Sequence, residues 1–339
     1  MKRITLLCGA AALVLASPAL ADHTGPTGVG SSGGGIDVQG PETLEAGHFA
    51  VGARVSVTVP DDRPDAELEA LAAQHVHAHN SDYNLNTAVG AAYGVTDRLT
   101  VSAEIPWIRR DDLREGEHSH AGGVATNEVV PLGSVSGLGD MSLLAKYRVT
   151  NGESGGLALI GGIKLPSGGT HARSLDGERL ETEHQSGTGS WDPILGAAFG
   201  AELGWATLDG SALYQFSGKG AQHTELGDRL QAGFALSHRF GPPEHHHDEG
   251  EAHEHHEHPH ASWDVFASTT LEWEGRQAIA GAVEEESGGT TVWLTPGVRY
   301  NSPSEFSLAA AVGVPLWQEI RASHPDNRMR MILSLGKGF

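Results

Sequence analysis

Along Arg98 to Ile108 the chain alternates. Leu99, Val101, Ala103, Ile105 and Trp107 fall on one side, and Thr100, Ser102 and Glu104 on the other. A period of two is the signature of a strand with one apolar face. The alternation returns at Met141 to Val149, at Asp264 to Glu274, and at Arg328 to Phe339, where Met329, Met331, Leu333 and Leu335 oppose Arg328, Arg330 and Ser334. Followed along the whole chain, it predicts 12 strands, over 48–59, 83–95, 98–110, 138–149, 156–166, 190–200, 204–217, 228–240, 262–274, 290–301, 305–317 and 328–339. These runs are longer than the roughly 5–6 residues common in soluble sheets. They match the length that a tilted strand needs to cross a hydrocarbon layer.

The connections set the topology. Short turns at Thr96-Asp97, Asn151-Gly152, Ala201 to Leu203 and Ser302 to Ser304 alternate with longer segments at 60–82, 111–137, 167–189, 218–227, 275–289 and 318–327. Such alternation predicts an all-β, closed antiparallel transmembrane β-barrel of about 12 strands, with long outer loops and short periplasmic turns. The 241–261 connection breaks the pattern as a long insertion on the periplasmic side. Within the outer loops, 64–79 could form a short helix. The polar faces carry Arg54, Lys146, Arg148, Asp209, Arg229, Arg239, Glu272 and Arg299. A soluble sandwich core has no place for rows of long charged side chains, whereas a barrel with lipid outside and a polar lumen does. Closure also removes the sheet edge, which a bilayer demands. Tyr83, Tyr93, Trp107, Trp191, Trp205, Trp263, Trp273, Tyr300, Trp317 and Phe339 cluster near strand ends, as an interfacial girdle would.

The N-terminus supplies the compartment. Lys2 and Arg3 precede an uncharged run, Ile4 to Ala21, that ends Ala19-Leu20-Ala21. A basic start, an apolar middle and an A-x-A end make residues 1–21 a secretory signal peptide. The domain reading is then signal peptide 1–21, a flexible Gly-rich segment 22–47 able to tuck into the lumen, and a barrel over 48–339, in the outer membrane of a Gram-negative bacterium. The single Cys, Cys8, falls in the signal peptide, so the fold uses no disulfide.

Composition narrows the function classes. A formal net charge of -21 disfavours nucleic acid as a partner, because phosphates repel such a chain. A mean hydropathy of -0.25 excludes a bundle of membrane helices. Gly numbers 46 of 339 residues, about twice the ordinary share of about 7%, which suits tight turns and small strand positions.

Several pieces carry a resemblance. Gly137-Leu138-Gly139-Asp140-Met141-Ser142-Leu143-Leu144-Ala145-Lys146-Tyr147-Arg148 resembles the G-x-G-D…K-Y-R signature of an outer-membrane transporter family named for the MetA pathway of phenol degradation. Tyr93-Gly94-Val95-Thr96-Asp97 is similar to its YG(V/L)TD hairpin, Ile163-Lys164-Leu165-Pro166-Ser167-Gly168 to its K-x-P-(T/S)-G strand end, and Thr188-Gly189-Ser190-Trp191-Asp192 to its TGS-x-D segment. The likeness spans about residues 41–339, with Phe339 as the terminal aromatic shown to the barrel-insertion machinery. It implies a barrel that moves small molecules, often aromatic ones. It carries over no binding residues, and the His-rich insertions depart from its pattern.

Those insertions are the one chemical constellation. Eight of the 20 His, namely His245, His246, His247, His253, His255, His256, His258 and His260, lie in the periplasmic insertion among Glu and Asp. His75, His77 and His79 stand in the first outer loop, His118 and His120 in the second, and His171 and His184 in the third. Imidazole with carboxylate suits Zn, Cu, Ni or Co ions, bound weakly and multiply because no scaffold is spelled out. The alternative is a solvated loop that happens to be His-rich. His48, His223, His238 and His324 read as ordinary. No cofactor and no enzyme motif emerges: Gly187 to Trp191 is not a G-x-S-x-G elbow, and the tract holds no helical H-E-x-x-H. Three functions follow. One is an outer-membrane channel for a small solute, a transition-metal ion or an aromatic molecule. The second is a non-conducting metal-binding barrel. The third, with no residue nominating it, is a barrel enzyme. Outer-membrane lipid is a partner in all of them.

Overall fold

The computed structural model describes residues 35–121, 124–152, 155–241 and 261–339. The signal-peptide segment 1–21, the first part of the Gly-rich segment and nearly all of the 241–261 insertion lie outside the described residues.

The barrel has twelve antiparallel strands: β1 (Phe49–Pro60), β2 (Tyr83–Thr96), β3 (Leu99–Ala121), β4 in two pieces (Val124–Leu138 and Ser142–Gly152), β5 (Gly155–Lys164), β6 (Asp192–Glu202), β7 (Thr207–Gln215), β8 (Arg229–Phe240), β9 (Ser262–Glu274), β10 (Gly289–Asn301), β11 (Phe306–Ile320) and β12 (Asn327–Gly338). Each pairs with the next in the chain. β1 pairs with β12, Val55 opposite Leu333, and this closes the wall. Every backbone donor and acceptor of the wall can then be met without water.

Alternation decides which side faces lipid. Val89, Leu159, Phe234 and Leu333 are all more than half exposed on the outer surface. The neighbouring positions point inward, where Thr270, Glu272, Thr291 and Arg330 are buried. Aromatics mark the rim with the short turns: Phe49 stacks on Phe339 at 4.5 Å, and Trp263 tilts against Tyr300 at 5.1 Å. Trp293 departs from the girdle pattern. It is fully buried, and its Nε1 donates to Glu272 at 2.8 Å.

One boundary differs from the expected loops. Residues 111–121 and 124–137 continue β3 and β4 as a long antiparallel pair. At 23 residues, β3 extends far beyond a hydrocarbon band about 25 Å tall. The hairpin leaves the wall at a register shift between Arg110 and Leu113, with Asp112 at φ 51°. A bulge at a barrel rim bends a strand in this way. Beyond the wall the hairpin no longer faces lipid; it packs at Leu113, Gly116 and Val135 against α1 and the third loop, so its sequence loses the regular apolar alternation. The helix expected in 64–79 forms as α1 (Asp65–Ala72). Its Leu68 and Ala72 are buried, and the hairpin passes so close at Gly116 that a Cβ would lie 2.4 Å from the Leu68 carbonyl oxygen.

Residues 35–46, ahead of β1, run inside the barrel. Arg54 Nη1 donates to the Ile36 carbonyl at 2.8 Å, and Arg54 also pairs with Asp37. Lys146 Nζ donates to the Gly40 carbonyl at 3.1 Å, and Gln39 N to Ser211 Oγ at 3.1 Å. Nearer the short-turn rim, Leu44 N donates to Thr100 Oγ1 and Ala46 N to Asp97 Oδ1. Ile36 packs on a patch of Phe266, Ala309 and Ala311.

Candidate functional site

β4 breaks at Gly139-Asp140-Met141, and the break turns Asp140 into the lumen. Its Oδ2 accepts from Lys164 Nζ, at the end of β5, at 2.8 Å, and from the amide and hydroxyl of Thr188 at 2.8 and 2.7 Å. Its Oδ1 accepts from Gly168 N at 2.8 Å. Lys164 Nζ lies as close, 2.8 Å, to Asp192 Oδ2 at the start of β6, and it also donates to Thr188 Oγ1. Asp192 in turn accepts from Gln215 Nε2 and Gly218 N. All of these side chains are buried. A buried ammonium needs such company, because desolvation of an unpaired charge is costly.

The three sequence motifs thus meet at one place. Asp140 closes the G-x-G-D piece, Lys164 opens K-x-P-S-G, and Thr188, Ser190 and Asp192 make up TGS-x-D. The node pins the third outer loop down into the barrel mouth. Gly168 and Gly187 cross so tightly that a Cβ on Gly168 would lie 2.6 Å from the Gly187 Cα. Further out, fully buried Arg110 donates to the carbonyls of His184 and Gln185 at 3.2 and 2.7 Å. Leu180 packs on Leu113 and Val135 of the hairpin.

A cavity of about 50 Å³ lies beside the node. Pro106, Ile108 and Leu226 give it apolar walls, and Ser142, Thr188 and Ser217 give it hydroxyls. It has room for a few waters, against the ~150 Å³ of a cavity that takes benzene. Residues 35–46 stand inside the barrel from one end and the third loop from the other, so both lie along the lumen.

The candidate metal ligands separate into groups. The eight histidines of the 245–260 tract lie outside the described residues. His118 and His120 stand on the exposed outer part of the hairpin, their Nε2 atoms 3.1 Å apart, and His75 packs edge-on to His118 at 4.4 Å. His77 lies apart from them, 3.4 Å from Glu115. The hydrogen bond to Glu115 raises its pKa to about 9, so at neutral pH it carries a proton where a metal would need a lone pair. His79 is buried under the outer loops. Burial above all, and then His324 and His184 beside it, hold its pKa well below the ordinary value. His324 is therefore not the ordinary histidine its isolation in sequence suggests: it is 6% exposed and lies edge-on to His79 at 4.4 Å. No spacing could reveal this, since the contact joins the first outer loop to the last.

Over residues 47–251 the chain matches the family described as "Putative MetA-pathway of phenol degradation". No curated protein matches it by sequence. Among solved structures, an outer-membrane channel from Pseudomonas putida F1 is similar with a TM-score of 0.53 and 18% identity, over 88% of this chain and 97% of that one. The toluene transporter TbuX of Ralstonia pickettii gives a TM-score of 0.44 at 11% identity, over 94% and 99%. The toluene transporter TodX of Pseudomonas putida gives 0.38 at 10%, over 87% and 90%. The first of these likenesses is one of fold.

Proposed function

This chain belongs to the family of the MetA pathway of phenol degradation, and from that membership we propose that it is a gated channel for a small amphiphilic aromatic solute of phenol type. Its fold is that of a closed barrel of the bacterial outer membrane. The observation that carries the reading is the convergence of the motifs on Lys164, Asp140 and Asp192 beside the lumenal cavity. The cavity as it stands is too small for an aromatic ring, so the third loop must move for a phenol to bind there; its wall sets Pro106, Ile108 and Leu226 beside hydroxyls and the charged groups Glu104, Asp140, Lys164, Asp192 and Arg229. Uptake of radiolabelled phenol at low external concentration tests it, in cells with and without the protein. Faster uptake with the protein, and no change for arabinose, is the expected result. Equal phenol uptake in both strains would falsify the proposal.

A second reading is metal capture by the outer loops, favoured by the His118–His120 pair on the hairpin. Zinc titration of His118→Ala/His120→Ala protein tests it: loss of weak zinc sites supports capture there, and unchanged binding removes it.

A further inference from the structure

Beneath the outer loops, three histidines and a glutamate meet from parts of the chain far apart in sequence. His79 comes from the first outer loop, Glu183 and His184 from a turn of 3-10 helix in the third (Thr182–His184), and His324 from the last. All four are less than a tenth exposed. Glu183 Oε1 lies 3.8 Å from His79 Nδ1 and 3.8 Å from His184 Nε2, and Glu183 Oε2 lies 3.9 Å from His324 Nε2. His79 stands edge-on to both other rings, at 4.5 Å from His184 and 4.4 Å from His324. One ligand atom from each of His79, Glu183 and His184 fits within 4.8 Å of the others; His324 falls outside that set and reaches it through Glu183, at 3.9 Å.

We propose that His79, Glu183, His184 and His324 form a four-ligand site for a divalent transition metal, zinc foremost, which staples three outer loops together over the pore.

The distances favour it. Separations of 3.8–3.9 Å are too long for hydrogen bonds. Ligands about 2.0–2.1 Å from a tetrahedral ion stand roughly 3.3 Å apart, so small rotations close His79, Glu183 and His184 on a metal, and His324, whose ring lies 4.4 Å from that of His79, turns in as the fourth ligand. Three imidazoles and one carboxylate are a borderline donor set that selects Zn, Co, Ni or Cu over Mg or Ca. The backbone beneath the ligands is also held in place. Arg63 donates to the carbonyls of Ala322 and His324 at 2.7 and 2.9 Å, and Arg110 to that of His184. His79 N donates to the Ser323 carbonyl at 3.0 Å, tying the first loop to the last. Gln277 Nε2 donates to Glu183 Oε2 at 2.8 Å, a partner that orients the carboxylate. The site is built, unlike the exposed hairpin histidines, and it stands whatever solute the channel passes.

The test uses the purified full-length protein, stripped by chelator and loaded with Co2+. A tetrahedral nitrogen–oxygen site gives intense visible bands that hydrated Co2+ lacks. A peptide of residues 241–261 measured alongside supplies the contribution of the His-rich tract. The expected result is a tetrahedral spectrum at one equivalent, lost in His184→Gln and His324→Gln barrels that still migrate as folded on gels. Glu183→Gln, close to the native shape, is expected to weaken Co2+ binding by at least about tenfold and to abolish the rise in melting midpoint that zinc gives the native protein. The absence of a tetrahedral spectrum in the native protein overturns the proposal, as does a spectrum that survives all three substitutions.

Discussion

Lys164 Nζ meets Asp140 Oδ2 at 2.8 Å across the break in β4, and that contact joins the wall of the barrel to the loop that fills its mouth. Asp140 also holds the Thr188 amide and the Gly168 amide. One carboxylate therefore fixes the ammonium, the outgoing end of the third loop and the returning end.

Replacing Lys164 by Met leaves Asp140 and Asp192 buried without their shared cation. Breaking one side of a buried pair costs about 3–5 kcal/mol. The expected outcome is a barrel that unfolds at lower temperature on heat-modifiable gels and conducts more in planar bilayers, because the third loop is released. Adding Asp140→Asn to Lys164→Met should cost less than the two single effects summed. Strict additivity would mean that the two residues do not act together.

Arg54, midway along β1, is the counterpart for the N-terminal segment, holding the Ile36 carbonyl and the Asp37 carboxylate inside the lumen. Arg54→Ala should loosen the Ile36-Asp37 end of the segment, leaving Gly40 to Ala46 tied to the wall, and raise single-channel conductance, with little change in insertion. If the N-terminal segment only lines the lumen without obstructing it, conductance will match that of the native protein.

The strands were legible because lipid outside and a polar lumen impose opposite demands on successive residues, as at Leu99 to Ile108. The tight turns were legible for a related reason: Thr96-Asp97 and Ser302 to Ser304 interrupt the alternation abruptly. The hairpin beyond Arg110 was not, because it meets α1 and the third loop at a few positions instead of presenting a continuous face to lipid. The node was half legible. Its motifs stood out as separate pieces, but that Asp140, Lys164 and Asp192 share one ion pair follows from how β4, β5 and β6 lie side by side. The His79 group was the least legible, since His184 and His324 reach it only through the folding of loops.

Within the lumen wall, Arg330 grips Glu272 with two bonds of 2.6 Å and lies over the Trp293 ring at 4.3 Å. Glu272→Ala strands a guanidinium that is 3% exposed and leaves the Trp293 Nε1 without its acceptor. A loss of about 3–5 kcal/mol is expected, read as a lower urea midpoint for the barrel in detergent. Glu272→Ala together with Arg330→Met should recover much of the loss, since no buried charge then remains.

His77 gives the pH dependence a definite sign. Its folded pKa of about 9 lies above the ordinary 6.5, chiefly through Glu115. The stabilisation from this pair is complete below pH 6.5 and is lost as pH rises through 9. The His77 side chain is 71% exposed, so solvent screening keeps the contribution below about 1 kcal/mol. The visible effect is local: the first outer loop should loosen from the hairpin above pH 9, and His77→Gln should remove that step. The imidazole resonance of His77 checks the argument directly. It should titrate near pH 9 in the native protein, and zinc added at pH 7 should shift it only at concentrations well above those that shift a free imidazole, because the metal must displace the proton. A midpoint near 6.5 would show that Glu115 does not hold the proton there.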